Sequence, residues 1–487
     1  MRKYIFLFIV AALVLPMKGQ TETGSSGTAA TYGEPDGKPA GTVTVASMAG
    51  TVADSLSVLT TDTLPFPQNI RQRLDTLLTA RMLEQSQVGL MVYDLTADSV
   101  IYAYNHRQTM RPASTQKLVT AITAIDRLGG SYQLRTSLYY QGIISNGVLT
   151  GDLFLVGGMD PAFGRDDLMA FVENLREQGV DTIRGRIVSD RSMKDELLLG
   201  EGWCWDDDNP VLSPLLINGK DELAIRLLNA LKSDGAVVTD VTFSEGVLPS
   251  KAQFICARTH TLDQILTKMM KDSDNLYAES MFYQVAAYGG SSVGQTVGHE
   301  RTGLQRGAKA SHARQQIERL IQKVGLNPAD YKIADGSGLS LYNYLSPELH
   351  VRLLRYAYRD KNIFGHLLPA LPIAGVDGTL KNRMKGTAAA GNVRAKTGTV
   401  TCVSCLAGYC VADNGHDLCF AIMNNGVIKV SEGRAFQDRV CRALCAPQGQ
   451  SLKQTIAPVV PTVTHKTKAP KKPQKSQMST KRKKKRR

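Results

Sequence analysis

Val88 to Asp94 and Asp98 to Tyr104 form two short runs rich in apolar, β-favouring residues around a Thr-Ala break, and this pattern predicts a β-hairpin. After Pro112 the period changes. Leu118, Ile122, Ile125 and Leu128 recur at helical spacing and stop at Gly129-Gly130, which predicts a helix ended by glycine. Residues 131 to 256 mix strand-like segments (Thr136 to Tyr140, Asp152 to Val156, Ala236 to Phe243) with Gly-rich turns and a helical stretch near Leu168 to Glu177, and read as an inserted module. A helix near Leu262 to Met270, the break Ser273-Asp274-Asn275 and a further helix through Met281 follow. Val393 to Ala412 and Leu418 to Met423 predict strands joined through Asp413-Asn414-Gly415, a strong hairpin signal. No solenoid repeat is present in the pattern.

The two ends do not share this patterning. Arg2 and Lys3 precede an apolar run from Ile5 to Leu15, too short for a membrane-spanning helix and matching a secretory signal, so residues 1–19 are expected to direct export to the periplasm or cell envelope. Met17-Lys18-Gly19 lacks the small-x-small cleavage pattern, which leaves an uncleaved anchor as the alternative. Residues 20–64 are expected to form a flexible leader, because Gly, Thr, Ala and Ser dominate as far as about Ser57. From residue 447 the chain is rich in Pro, Lys, Thr and Gln and reads as a disordered basic tail.

Charge changes the picture once it is located. The 487 residues carry a net charge of +14, which on its own resembles a nucleic-acid binder. Residues 451–487 hold 13 Lys and Arg and no acid, leaving 45 basic against 44 acidic residues upstream. The body is therefore neutral, no nucleic-acid partner is indicated, and the tail reads either as solvated chain or as an adhesive for an anionic envelope surface. With 43% hydrophobic residues there is ample material for a core. The eight cysteines fix no pairing, and Cys402, Cys405, Cys410 and Cys419 also fit as small buried residues of strands. No His pattern of the H-E-x-x-H kind and no phosphate loop occurs, so neither a metal nor another cofactor is expected.

Three short patterns occur in order: Ser114-Thr115-Gln116-Lys117, Ser273-Asp274-Asn275 and Lys396-Thr397-Gly398. On a helix, residues i and i+3 share a face, so Ser114 and Lys117 project together and a hydroxyl nucleophile has an amine in reach. That amine is a base only when neutral, and lowering a lysine pKa from about 10.4 to about 7 takes roughly 4.6 kcal/mol. Burial and a second cation, with Lys396 the candidate, are expected to supply it. Ser273-Asp274-Asn275 can point a hydroxyl and an amide across a cleft, or simply cap a helix. Lys396-Thr397-Gly398 opens a strand where glycine would let a ligand backbone approach and the cation and hydroxyl could clamp a carboxylate. A Ser-x-x-Lys pattern alone arises by chance about once or twice in such a length; the ordered set is the signal.

Here the sequence resembles the D-alanyl-D-alanine carboxypeptidase/endopeptidase family, the class C low-molecular-mass penicillin-binding proteins. Arg111 to Thr115, Lys271 to Glu279, Asp335 to Ser340, and Gly378 to Met384 through Lys396 to Thr399 all look like the family's signatures, and the likeness covers roughly residues 65–446. The resemblance implies an α/β (α+β) fold: a β-lactamase/transpeptidase-like domain with an antiparallel sheet flanked by helices, split into residues 65–131 and 257–446, around a β-rich domain at 132–256. It implies Ser114 as nucleophile, Lys117 as general base, backbone N–H groups of Ser114 and Thr399 as oxyanion donors, Ser273 as proton relay, and Asn275, Lys396, Thr397 and Gly398 around the substrate. Peptidoglycan stem peptides would be the substrate and β-lactams covalent inhibitors. Asp335 to Ser340 reads equally as a tight turn or a catalytic loop, and Arg383 reads as structural before it reads as an anion contact. The competing readings are a serine β-lactamase, which shares the acylation machinery, and a silent wall-binding scaffold.

Overall fold

The computed structural model describes residues 64–238, 241–289 and 306–447; the expected signal, nearly all of the leader and nearly all of the basic tail lie outside the described residues. Helix α1 (Phe66–Leu77) leads into the hairpin β1 (Gln87–Asp94) and β2 (Ser99–Tyr104), and α2 (Gln116–Leu128) follows. The chain then leaves to build a second sheet from β3 (Gln133–Ser145), β4 (Val148–Val156), α3 (Arg165–Glu177), β5 (Thr182–Arg184), β6 (Arg186–Asp190), α4 (Leu223–Ser233), β7 (Val237–Val238), β8 (Thr242–Glu245) and β9 (Gln253–Thr261). It returns through α5 (Leu262–Lys271), α6 (Asn275–Gly289), α7 (Ala310–Lys323), α8 (Pro347–Arg359) and α9 (Lys361–Ala370). The strands β10 (Arg394–Val400), β11 (Val403–Val411) and β12 (Asp417–Asn425) then complete the first sheet, and α10 (Val430–Cys445) closes the described chain.

The first sheet has the order β10-β11-β12-β1-β2, and every pairing in it is antiparallel. Its period-2 alternation sorts side chains between two layers. Leu90, Val92, Phe420 and Ile422 join α1 and α10 through Leu74, Phe436 and Val440. Met91, Ala407 and Ala421 face the opposite layer, where they meet Leu118, Ile122 and Leu354 of α2 and α8. Each fully buried large side chain such as Phe420 contributes roughly 1.5–3 kcal/mol of transfer free energy. Helix α2 packs against α5, α6, α7, α8 and α9 as well as the sheet, so its first turn is held from several sides.

The inserted segment departs from the expected picture in two respects. It is not only β-rich: β4 pairs in parallel with β5 and β6, and β6 pairs in parallel with β8, with α3 and α4 packed on the core around Leu153, Phe171 and Leu227. Helix α4 was not predicted, although its buried Leu223, Leu227, Leu228 and Leu231 recur at helical spacing between the flanking Asp221 and Asp234. The last strand also runs to Thr261, past the expected end at 256. There Thr261 and Gln264 exchange hydrogen bonds across the helix start, and this capping box turns the strand directly into α5.

Residues 393–412, read from sequence as one strand, are two. The turn between β10 and β11 is Thr401-Cys402, with Cys402 at φ 59°, a left-handed residue with no glycine or asparagine to announce it. Cys402 is consequently exposed, whereas Cys405, Cys410 and Cys419 are buried as expected of strand residues.

Candidate active site

Ser114 does not lie within α2 but in a single 3-10 turn, Ala113–Thr115, that feeds into it. The turn is strained: Ala113 sits at φ 47°, a conformation that costs a non-glycine residue roughly 1 kcal/mol. Close packing holds it there. A Cβ on Gly338 would come within 1.9 Å of Ala113 O, and one on Gly398 within 2.5 Å of Pro112 O, so two glycines clamp the turn from opposite elements. The Thr115 hydroxyl donates to Pro112 O at 2.7 Å. Gly398 thus serves an approach by the protein's own backbone, not the ligand's as expected from the sequence.

Lys117 occupies the first turn of α2, fully buried, with Nζ 3.0 Å from Ser114 Oγ. The same amine reaches Asn275 Oδ1 and the carbonyl of Ser337, both at 2.8 Å. Burial pulls its pKa down from the ordinary lysine value to about 8, against the upward pull of Asp335, Glu279 and Asp274. Lys396 is equally buried and donates to Ser273 Oγ and to Thr397 O, both at 2.8 Å. Burial first, and then the charge of Lys117, push its pKa well below the lysine range. The expectation that a charged Lys396 makes Lys117 neutral is corrected here. Carboxylates surround Lys117 alone, so Lys396 is the more easily deprotonated partner.

Ser273-Asp274-Asn275 performs both roles that its sequence allowed. Asp274 Oδ1 accepts the Tyr277 N–H at 3.2 Å and caps α6, while Ser273, at φ 62°, and Asn275 turn their side chains to the two lysines. The Asp335–Ser340 loop likewise combines tight turn and site element. Asp335 accepts from the Gly338 and Ser340 N–H groups at 2.8 and 2.6 Å and from Asn343 Nδ2 at 2.8 Å, which fixes the loop so that Ser337 O meets Lys117. Glu279 accepts from the Gly336 and Ser337 N–H groups below it, at 3.1 and 2.8 Å. Burial and the neighbouring Asp335 raise its pKa to about 8. The inserted segment reaches this loop too: Trp203 Nε1 donates to Asp335 Oδ2 at 2.8 Å.

A cavity of about 420 Å³ opens beside the nucleophile, lined by Ser114, Ser273, Thr379, Asn382, Arg383, Thr397, Thr399 and Arg434. All three sequence patterns therefore converge. The Thr397 and Thr379 hydroxyls are 2.8 Å apart, and the turn carrying Thr379 is seated by the Lys271–Asp377 ion pair at 2.6 Å. A similar depression on the inserted sheet, about 430 Å³ among Ser189, Arg191, Asp221 and Glu245, has its arginine held by both carboxylates.

The profile of the D-Ala-D-Ala carboxypeptidase 3 (S13) family matches residues 70–219 and 209–445. The chain belongs to this family. It is similar to the D-alanyl-D-alanine carboxypeptidase DacB of Haemophilus influenzae, with 27% identity over 433 residues that cover 72% of this chain and 87% of that one. The D-alanyl-D-alanine carboxypeptidase of Actinomadura sp. strain R39 is 28% identical over 454 residues, covering 73% and 81%. In structure it resembles penicillin binding protein 4 (dacB) from H. influenzae, with a TM-score of 0.66 at 24% identity, over 78% of this chain and 98% of that one. The fold class expected from the sequence is thereby borne out, and the protein is a serine-type D-Ala-D-Ala carboxypeptidase.

Within this S13 carboxypeptidase, Arg383 is structural, as its sequence reading preferred: its guanidinium donates to Asp438 at 2.6 and 2.9 Å and to Gln437 Oε1 at 3.0 Å. Sequence reasoning missed Thr379, Trp203, Arg434 and the partnership of Glu279 with the loop. Thr379 and Glu279 stood inside the quoted signature segments and could have been found there; Trp203 and Arg434 carried no pattern of their own.

Proposed function

We propose that Ser114 is the nucleophile that acylates on D-Ala-D-Ala stem peptides of peptidoglycan. Lys117 Nζ takes the hydroxyl proton as Ser114 Oγ attacks the carbonyl carbon of the penultimate D-Ala. The oxyanion is held by the N–H groups of Ser114 and Thr399, which the contact of Gly398 with the nucleophile turn keeps on adjacent walls of one cavity. Loss of one such donor typically costs about 3–4 kcal/mol of barrier. Collapse of the tetrahedral species breaks the C–N bond. The leaving amine of the terminal D-Ala takes up the proton that Lys117 accepted, relayed through Ser273 Oγ, which leaves Lys117 neutral again, and Asn275 orients the substrate amide. Water then attacks the acyl ester, giving its proton to Lys117, which passes it to Ser114 Oγ as the ester C–O bond breaks and Ser114 is freed.

The observation that carries this reading is a buried amine 3.0 Å from the Ser114 hydroxyl. The same acylation step on a cross-linked stem peptide is an endopeptidase cut, and a β-lactam entering as an acyl donor forms a slowly hydrolysed adduct. In the test, wild type releases D-Ala from a diacetylated L-Lys-D-Ala-D-Ala peptide and gains the mass of one penicillin, while Ser114→Ala does neither. Undiminished D-Ala release by Ser114→Ala would defeat the mechanism, and rapid penicillin turnover by wild type would favour a β-lactamase. On the same reading residues 1–19 direct export and residues 451–487 bind an anionic envelope surface; removal of the latter then reduces salt-sensitive sedimentation with envelopes, and unchanged sedimentation at low salt refutes that attachment.

A further inference from the structure

A stem peptide ending in D-Ala brings a carboxylate one residue beyond the scissile amide, so the cavity beside Ser114 has to accommodate an anion. Two arginines line it, Arg383 and Arg434, and Lys117 and Lys396 lie behind the hydroxyls of Ser114 and Ser273. Lys117 and Lys396 are fully buried; Lys117 donates to Ser114, Asn275 and Ser337, and Lys396 to Ser273 and Thr397. Arg383 is neutralised by Asp438. Arg434 differs from all three. Its side chain is exposed, lines the cavity, and makes no hydrogen bond or ion pair among the described residues.

Its place is nevertheless fixed by its backbone. Arg434 lies in the second turn of α10, where its carbonyl accepts from Arg383 Nη2 at 3.2 Å. The preceding residue, Gly433, packs so tightly on β11 that an added Cβ would lie 2.9 Å from Ser404 Cβ. One turn further on, Gln437 Nε2 donates to Ser404 Oγ at 2.9 Å. The helix is therefore pinned to the sheet at the level of the cavity, and it holds the Arg434 guanidinium there without an ion pair among the described residues.

Resting on the DD-peptidase reading above, we propose that Arg434, with the hydroxyls of Thr397 and Thr379, reads the carboxylate of the substrate's C-terminal residue. A guanidinium offers two parallel N–H donors to a carboxylate, a geometry that an ammonium lacks. This moves the carboxylate clamp expected at Lys396 to a residue on a different element. Lys396 remains tied to Ser273.

The test compares two peptides with the full-length protein: diacetylated L-Lys-D-Ala-D-Ala as the free acid and as its C-terminal amide, each followed by the amine product released. Wild type is expected to prefer the acid by tenfold or more in kcat/KM. In Arg434→Gln the acid-to-amide ratio falls toward unity, chiefly through KM, and Arg434→Lys restores part of it. A ratio unchanged in Arg434→Gln, or equal losses on both peptides, overturns the assignment while leaving the peptidase reading intact. A wild-type protein that cleaves neither peptide defeats both.

Discussion

Removing the Lys396 amine with Lys396→Met separates two accounts of the paired lysines, because only one of them shifts the titration of Lys117. Lys117 titrates at about 8 against an ordinary lysine value of 10.5, which corresponds to about 3 kcal/mol of preference for the neutral amine. Roughly a tenth of the molecules then hold a neutral Lys117 at pH 7, and acylation by a penicillin should rise roughly tenfold by about pH 9 and level off. An unshifted lysine would give a rise of roughly a hundredfold over that interval with no plateau. If Lys396 carried the charge that lowers Lys117, its removal would raise the Lys117 pKa and move the limb to higher pH. The structure says otherwise. Burial lowers Lys117, whose neighbours Asp335, Glu279 and Asp274 favour the ammonium, while among the described residues no carboxylate acts on Lys396 in that way. The expected result is a slower reaction, since Ser273 loses its partner, with the limb still centred near 8. Stopped-flow acylation rates across pH, read with a reporter cephalosporin, supply the measurement. A limb displaced upward by a full pH unit in Lys396→Met would refute this account.

Two further perturbations probe how the nucleophile turn is held. Gly398→Ala places a methyl 2.5 Å from Pro112 O and 3.2 Å from Cys405 Cβ, so β10 has to retreat from the turn; an overpacking cost of about 1–3 kcal/mol and a fall in acylation of at least tenfold are expected, from thermal unfolding and penicillin binding. Trp203→Phe keeps an aromatic ring but removes one of the two donors to Oδ2 of buried Asp335, which keeps the Ser340 N–H, at about 1.5–3 kcal/mol for a lost hydrogen bond to a charged group. Acylation should fall severalfold, and an acylation rate equal to wild type would show that the inserted segment does not brace the loop.

What was legible in the sequence is what depends on neighbours along the chain. Ser114 and Lys117 are three apart, so any helical turn brings them together, and the structure does so even though Ser114 precedes the helix proper. The β-hairpin at residues 88–104 and the Asp413-Asn414-Gly415 turn were readable for the same reason. Where the local cue was absent, the reading failed: Cys402 makes its turn through tertiary packing of two paired strands. Helix α4 was a different miss, since Leu223, Leu227, Leu228 and Leu231 carried the helical spacing and went unread.

The unread part of the site has a common cause: the groups that tune Lys117 are backbone carbonyls and buried carboxylates delivered by elements far away in the chain. Ser337 O can accept from Lys117 only because Asp335 folds its loop and because Gly338 lets that loop press on Ala113. No composition or periodicity encodes a carbonyl. The two glycines were visible, yet Gly398 was assigned to the approach of a ligand and Gly338 to a turn or catalytic loop, since a sequence shows that a close approach is possible and not what approaches. Here the chain's own strained turn takes that space, which explains why Ala113 tolerates φ 47° and why the Ser114 hydroxyl stands against the amine before any substrate arrives. If that clamp is the source of the geometry, substitutions at Gly338 and Gly398 should injure acylation alike although they lie on different elements. A substrate-cradling role would single out Gly398 alone.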